Sequence, residues 1–263
     1  MPELSLKLII AGMLFLALFT WEHYSPYFKA RKQHLHHSFR NLSLALINAT
    51  LSLLIYIYVL NYVCNLTHEN AFGLFYYFDI TGITAFVIAF VLIDAWQYFW
   101  HRMNHIVPFL WRFHQVHHAD KDMDASTALR FHTIEIMYSH LIRIFVIPLI
   151  GIQLEHLIFY EIILLPIILF HHSNINLPEN LDRVLRVIIV TPHIHRLHHS
   201  DIRKETDSNY ASVFSFWDRL FNTYTMRSIE QQFSLGLRDA FSEQEWNRLL
   251  GMLKLPFQKV SRI

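Results

Sequence analysis

Long apolar stretches separated by short polar segments dominate the first two thirds of the chain. Three of them, near residues 4–21, 42–63 and 80–101, have about the twenty residues that a helix needs to cross a hydrocarbon core. A fourth stretch, residues 134–170, is broken near Gly151, which predicts a helical hairpin that enters the membrane and returns. The pattern therefore predicts an all-α, multi-pass membrane bundle of about four transmembrane helices.

The last third of the chain is mixed in polarity. Residues 181–190 have the pattern of a short amphipathic helix. Ser242 and Glu245 have the spacing of a capping box, which predicts a helix that runs through Met252 and is ended by Pro256. This tail either lies on the membrane surface or packs on the part of the protein outside the membrane. We divide the chain into transmembrane spans, a histidine-rich region and an amphipathic tail, at residues 1–90, 91–225 and 226–263.

Lysine and arginine residues are concentrated on one side of the predicted spans. Residues 29–41 contain four of them, and Arg102 and Arg112 follow the third span, whereas residues 64–79 contain none. By the positive-inside rule, residues 29–41 and the histidine-rich region lie in the cytoplasm, with residues 64–79 on the opposite side. We expect residues 29–41, with their three histidines, to form a solvated basic loop that faces lipid headgroups. Large aromatic residues follow the first span in place of a cleavage site, so it is predicted to stay uncleaved.

The composition supports a membrane protein and excludes several other classes. Hydrophobic residues make up 53% of the chain and charged residues 16%, whereas soluble domains have roughly 25% charged residues. A formal net charge of +1 argues against nucleic-acid binding. The one cysteine, Cys64, excludes an intramolecular disulfide and a cysteine-rich metal site. The sequence also lacks the zinc-peptidase motif HExxH and the glycine motifs of nucleotide-binding proteins.

The chain contains 19 histidines, and many recur at spacings that suit metal binding. His101 and His105 are four residues apart, which places both on one face of a helix. The pattern HxxHH occurs twice, and its members are His114, His117, His118, His195, His198 and His199. His171 and His172 form a further pair, of which His172 gives a ninth candidate. A mononuclear site needs three or four ligands, so eight or nine indicate two metals, although imidazole alone does not name the metal.

Two acidic residues lie where they can orient the metal-binding histidines. A ligating histidine usually donates its second N–H group to a carboxylate or a carbonyl. Asp94 lies two helical turns before His101 within an apolar span, which favours an orienting role, with helix packing as the alternative. Glu135, three residues after His132, is a weaker candidate.

Six segments between residues 90 and 225 resemble the integral-membrane fatty acid hydroxylases and sterol desaturases. They follow the order of that superfamily, and they are D-x6-H-R-x2-H at 94–105, LWRFHQVHH at 110–118, TALRFHTIE at 127–135, FHHSNINLP at 170–178, TPHIHRLHHS at 191–200 and DSNYASVFSFWDRLFNTY at 207–224. The first 90 residues are similar to the superfamily only in being membrane spans.

The resemblance implies a non-haem di-iron centre that activates O2 and receives electrons from a separate donor protein. It also implies about four membrane helices that are capped by a cytoplasmic, histidine-rich helical domain, so that residues 91–225 form the catalytic region. The implied metal ligands are His101, His105, His114, His117, His118, His172, His195, His198 and His199. His171 is an alternative to its neighbour, His132 is a ligand or orients one, and His193 is incidental.

The implied reaction is hydroxylation or desaturation of a C–H bond in a lipid such as a fatty acyl chain or a sterol. Oxidation of an ether lipid or a carotenoid at the same centre is an alternative. A metal transporter, or another non-catalytic metal-binding membrane protein, is an alternative of a different class, but a transporter would hold its ligands at the membrane midplane. The aromatic residues around 96–113 line the substrate pocket or form an interfacial belt. A bacterial inner membrane is the expected location.

Overall fold

The computed structural model describes residues 2–29, 34–227, 234–237 and 248–258. In these parts the chain forms helices and isolated β-bridges, with no extended strand. The helices are α1 Pro2–Tyr24, α2 His34–Leu51, α3 Ile57–Glu69, α4 Leu74–Tyr77, α5 Gly82–Ile106, α6 Pro108–His118, α7 Thr133–Ile150, α8 Leu154–His172, α9 Glu179–Leu185, α10 Pro192–His198, α11 Arg203–Thr206, α12 Phe216–Leu220 and α13 Leu249–Lys254.

Four segments of the described chain are long and apolar enough to cross a membrane. They are His34–Tyr77, Gly82–Ile106, Thr133–Ile150 and Leu154–His172. Helix α1 also covers the first predicted span, residues 4–21, as one helix. The prediction of an all-α, multi-pass membrane bundle is therefore confirmed.

The second predicted span, residues 42–63, lies inside a longer helical segment with a π-helical turn in its middle. The turn covers Ser52–Tyr56 and joins α2 to α3. A π turn inserts one extra residue into the helix, which changes the direction of the side chains after it. Here Ser52 and Tyr56 both face His140 of α7, since the Ser52 hydroxyl lies 2.7 Å from His140 Nε2 and the Tyr56 ring stacks on the imidazole at 3.7 Å.

Helices α7 and α8 form the predicted hairpin, and its turn lies at Gly151. Gly151 ends α7 with a φ of 84°, a left-handed conformation that favours glycine. The loop before α4 packs against this turn through a second glycine, Gly73, which has a φ of 106°. A Cβ at Gly73 would lie 2.4 Å from the Pro148 carbonyl oxygen, so only glycine allows the two backbones to approach this closely.

The other ends of the long helices converge on the histidine-rich segments. Helices α5 and α8 pack along each other with contacts such as the Phe90 and Tyr160 rings, and α1 packs beside α8. An isolated bridge between Pro26 and Ile175 holds the end of α1 next to the end of α8. The bundle therefore gathers the histidine-bearing ends of α5 and α8 at one place, away from the Gly73–Gly151 contact.

The prediction that residues 29–41 form a solvated loop is wrong for the described part of that segment. Helix α2 begins at His34, and His37 is buried with 5% of its surface exposed. Its Nδ1 atom lies 2.8 Å from Asp124, and its Nε2 atom lies 2.9 Å from Asp120. Both aspartates lie in the loop after α6, more than eighty residues later in the chain. The sequence around residues 29–41 therefore gave no sign that His37 would be buried in an ion pair.

The two short amphipathic helices differ in extent from their predictions. Residues 181–190 were expected to be helical, and α9 covers Glu179–Leu185, after which Ile189 forms a bridge with Phe214. In the tail, Ser242 and Glu245 lie outside the described residues, and Pro256 lies in a 3-10 turn, Leu255–Phe257, that continues from α13. The tail packs on the protein through Met252 and Leu255, which are fully buried against Leu44 of α2 and Val116 of α6.

Candidate metal centre

Nine buried or half-buried histidines form two adjoining groups at the ends of α5 and α8. In each group, one ring nitrogen from every member lies within 4.8 Å of the corresponding nitrogens of the others. The first group is His101, His105, His114, His118 and His198, and the second is His117, His172, His195 and His199. The rings of His118 and His199, one from each group, stack at a distance of 4.4 Å. The structure thus brings together all nine histidines of the predicted ligand set.

Each HxxHH motif contributes to both groups. In α6, His114 and His118 face the first group, whereas His117 faces the second. The end of α10 is arranged in the opposite sense, because His195 and His199 face the second group while His198 faces the first. Residues four apart point in nearly the same direction on a helix, and the residue at i+3 is turned to one side. The motif therefore divides its imidazoles between two neighbouring positions.

Four of the rings are held by hydrogen bonds from Nδ1 to the surrounding protein. His101 donates to the Tyr210 carbonyl at 2.8 Å, His198 to the Ser208 carbonyl at 2.6 Å, and His172 to the Ile168 carbonyl at 2.7 Å. The fourth ring, His114, lies 2.7 Å from the carboxylate of Glu135. Carbonyl oxygens only accept, so these bonds place the proton on Nδ1 and turn an unprotonated Nε2 toward the interior of the group.

The resulting arrangement of nitrogens suits a bound cation. Nε2 of His101 and Nε2 of His198 are 3.0 Å apart, and both carry lone pairs when the rings are neutral. Two acceptors cannot bond to each other at this distance, but both can bind a metal ion. His105 lies in the same group, and the described residues offer no hydrogen-bond partner to either of its nitrogens. The donor set therefore fits a pair of first-row transition metals.

Burial keeps these imidazoles in the form that binds metals. It lowers the pKa of His198 to about 3, and burial together with neighbouring histidines lowers the pKa of His117, His118 and His199 well below its usual value. A histidine must be unprotonated at the ligating nitrogen to bind a metal. All four rings are therefore available as ligands at neutral pH.

Comparison with known proteins agrees with this geometry. The profile of the fatty acid hydroxylase family matches residues 86–223, which is just over half of the chain and includes all nine histidines. The chain belongs to the fatty acid hydroxylase family. No solved structure matches the chain.

Curated relatives in the family include lipid-modifying enzymes from animals and bacteria. Human alkylglycerol monooxygenase is 37% identical over 142 residues, which are 52% of this chain and 29% of the relative. Ornithine lipid hydroxylase from Rhizobium tropici is 29% identical over 138 residues, or 52% of this chain and 41% of the relative. Human cholesterol 25-hydroxylase is 25% identical over 141 residues, or 53% and 50%. The chain thus matches half or less of the length of these relatives.

Within this family member, Asp94 does not contact a histidine, which corrects the prediction that it orients one directly. Its carboxylate accepts hydrogen bonds from the Tyr160 hydroxyl at 2.9 Å, the Trp217 indole at 2.8 Å and the Phe214 backbone N–H at 3.1 Å. The seven residues from Asp94 to His101 span about 10 Å of helix, which is too far for direct contact. Asp94 instead anchors the segment that follows α11.

Glu135 contacts His114, in agreement with its predicted orienting role. His132 was predicted to be a ligand or to orient one, but the structure gives it another role. His132 caps α7 by accepting the Ile134 backbone N–H at Nδ1, and its Nε2 donates to the Leu253 carbonyl. Both nitrogens are therefore engaged, and His132 belongs to neither histidine group. Of the adjacent pair, His172 is in the second group, while His171 stacks on His195 at 4.0 Å without joining the group.

The sequence analysis gave no role to Asp218, which positions the Tyr210 backbone beside the histidine groups. The Asp218 carboxylate accepts the backbone N–H groups of Tyr210 and Ala211 at 2.7 and 3.0 Å, and it also accepts from the Thr223 hydroxyl. Burial raises the pKa of Asp218 to about 6. A motif match drew attention to residues 207–224, but no spacing rule shows which backbone carbonyl will face a ligand histidine.

A cavity of about 180 Å³ opens beside the histidine groups and extends between α5, α7 and α8. At one end it is lined by His101, His114, His117, His172 and His195. Toward the middle of the bundle it is lined by Leu164 and Ile168 of α8 and by polar side chains of α5 and α7. Trp100 is the member of the predicted aromatic lining that reaches the cavity, whereas Phe99 and Phe109 are exposed on the outer surface.

Proposed function

We propose that the protein is a membrane-bound, O2-dependent di-iron oxidoreductase that hydroxylates a C–H bond of a lipid. The observation that carries this proposal is the cavity, which joins the two histidine groups to the space between membrane-spanning helices. A lipid chain can enter such a space along the bilayer without crossing water. Family membership and the activities in the names of the relatives support the same reaction.

In this proposal the nine histidines hold two iron ions, which supply the redox chemistry of O2 activation and C–H oxidation when bound. Glu135 holds the Nδ1 proton of His114 and fixes its ring, and the Tyr210 and Ser208 carbonyls do the same for His101 and His198. Apolar residues along α8 exclude water and hold the substrate chain. Desaturation is the alternative outcome at the same centre.

An ether lipid is a second candidate substrate, because alkylglycerol monooxygenases recur among the relatives.

The transporter alternative is less well supported, since the histidines lie at the ends of α5 and α8 rather than in the middle of the spans. We further propose that the histidine-bearing face lies in the cytoplasm, where a separate protein donates electrons. Relatives occur in both bacteria and animals, so the bacterial inner membrane stays a prediction.

The test is to measure iron per chain in protein purified in mild detergent, for the wild type, His117→Ala and a control, His36→Ala. His117 lies within the second group, whereas His36 is exposed on α2. We expect two iron ions per chain in the wild type and the control, and clear loss in His117→Ala. The wild type should then incorporate isotope-labelled oxygen from O2 into an added lipid. One metal or none, unchanged by His117→Ala, would contradict the proposal.

A further inference from the structure

The inner end of the cavity, inside the membrane-spanning region, is polar. Arg143, His140 and Ser139 of α7 and Gln97 of α5 line it. Arg143 follows Glu135, the partner of His114, by eight residues on the same helix, a rise of about 12 Å along α7 toward the middle of the span. A charged side chain at this depth is costly to bury and marks a functional site by default.

The charge of Arg143 is compensated within the protein. Its guanidinium lies 3.2 Å from the Glu161 carboxylate of α8 and 3.5 Å from the Gln97 side-chain oxygen of α5. Among the described residues that line the cavity, Arg143 is the only lysine or arginine. The inner end of the cavity is therefore polar and rich in donors, but it has no net positive charge to neutralise an anion.

The neighbouring polar groups are held in fixed positions. Ser139 accepts the Trp100 indole N–H at 3.0 Å, which leaves its own hydroxyl proton free to donate. His140 is held by the Ser52 hydroxyl and by stacking on Tyr56, both of which the π turn directs toward it. Groups that are ordered before a ligand arrives lose little entropy when it binds.

We propose that these residues bind the uncharged polar group of a lipid, such as a hydroxyl or an ether oxygen, and discriminate against anionic lipids. The inference rests on the proposed function and names its substrate class. A hydroxyl can accept from Arg143 and donate to the Gln97 oxygen, so its hydrogen bonds are replaced on burial. A carboxylate or phosphate would lose its hydration and gain no compensating charge, because Arg143 is already paired with Glu161.

The position of this site also restricts which carbon is oxidised. Gln97 precedes His101 by four residues, one turn of α5, or about 6 Å along the helix. A polar group bound between Gln97 and Arg143 therefore presents to the histidines a carbon only a few bonds away. We expect oxidation close to the polar group of the lipid and not at the far end of its chain.

The experiment compares equilibrium binding of two radiolabelled probes, a 1-O-alkylglycerol and a fatty acid of the same chain length, to the purified full chain at neutral pH. The wild type should bind the alkylglycerol at least about tenfold more tightly, a difference of about 1.4 kcal/mol. Glu161→Gln leaves the Arg143 charge uncompensated, so it should gain affinity for the fatty acid by a similar factor. The double variant Arg143→Gln/Glu161→Gln is neutral again and should not show this gain.

A second variant, Gln97→Leu, keeps every charge and should weaken alkylglycerol binding without any gain for the fatty acid. Melting in detergent identifies variants that fail to fold. Equal binding of both probes by the wild type, or an unchanged preference in folded Glu161→Gln, would overturn the inference even if the protein oxidises lipids. Selective binding without oxidation would instead leave the inference standing and contradict the proposed function.

Mass spectrometry of any product gives the position of the new oxygen. Oxidation far from the polar group of the lipid would refute the inference about which carbon is oxidised.

Discussion

At the scale of single residues, the ability of the two histidine groups to bind metal depends on which nitrogen of each imidazole carries the proton. The carbonyls of Tyr210 and Ser208 settle this for His101 and His198, and the carboxylate of Glu135 does so for His114. A carboxylate differs from a carbonyl because its negative charge also strengthens the bond between the histidine that it contacts and a metal ion. Glu135 is therefore the residue outside the histidine set whose replacement should most directly weaken metal binding.

Glu135→Gln should lower the affinity for iron by roughly tenfold to a hundredfold, the usual effect of losing such a partner. Gln keeps the size of the side chain, so the change tests the charge rather than the packing. Competition with a chelator measures the affinity, and Glu155→Gln, at an exposed position in the first turn of α8, is the matched control. Equal affinities in both variants would show that Glu135 only fills space.

The residue scale also shows what the sequence can predict. The spacing of His101, His105 and the two HxxHH motifs was enough to predict eight of the nine grouped histidines, because i and i+4 positions share a helix face. The choice of His172 came from the resemblance to a known family and not from spacing. The role of Asp94 was not predictable, since two of its partners, Phe214 and Trp217, lie 120 and 123 residues later in the chain. Local periodicity contains no information about such distant contacts.

At the scale of secondary-structure elements, α2 is joined to the loop after α6 by a buried polar network. Both ring nitrogens of His37 contact carboxylates, and Asn41 donates to the Ser126 hydroxyl at 2.9 Å. Burial alone would raise the pKa of Asp120 and Asp124, but the nearby charge of His37 outweighs it and holds both pKa values well below the usual range. These carboxylates therefore stay ionised in the folded protein.

His37→Ala should destabilise the protein more at pH 8 than at pH 5. In the wild type the depressed pKa values stabilise the fold at every pH above the unfolded value of about 3.9, and this contribution is lost only in stronger acid. Without His37, burial is opposed mainly by the Arg130 charge and by hydrogen bonds such as that from His34, so we expect both pKa values to rise and stability to fall as the pH rises through them. Melting temperatures in detergent at the two pH values measure this effect, with exposed His36→Ala as the control. A loss that does not depend on pH would contradict an electrostatic role for His37.

At the scale of the whole molecule, the long helices place the histidine centre and the Gly73–Gly151 contact at opposite ends of the bundle. The hydropathy pattern predicted the helices and the hairpin break at Gly151, because chain length and apolar composition decide membrane spans. It gave no information about the loop before α4, where Gly73 meets that turn. Which end faces the cytoplasm depends on charge distribution, and it can be tested by chemical labelling.

Cysteine labelling should place the histidine centre on the cytoplasmic side. In a Cys64→Ser background, Lys121→Cys introduces an exposed thiol beside the centre, and Glu69→Cys introduces one at the opposite end. A membrane-impermeant maleimide should label the first variant only in inside-out vesicles and the second only in right-side-out vesicles. The reverse result would place the centre on the outer face of the membrane.

The division of each HxxHH motif between two groups restricts how the chain can vary in length. His114 and His118 face one group and His117 the other, so the number of residues between them decides which ring reaches which position. One inserted residue would rotate everything after it by about 100° around the helix axis. Substitutions between these histidines leave that allocation intact, whereas a single insertion or deletion would redistribute ligands in both groups at once. Length, more than identity, is what the residues inside the motif have to preserve.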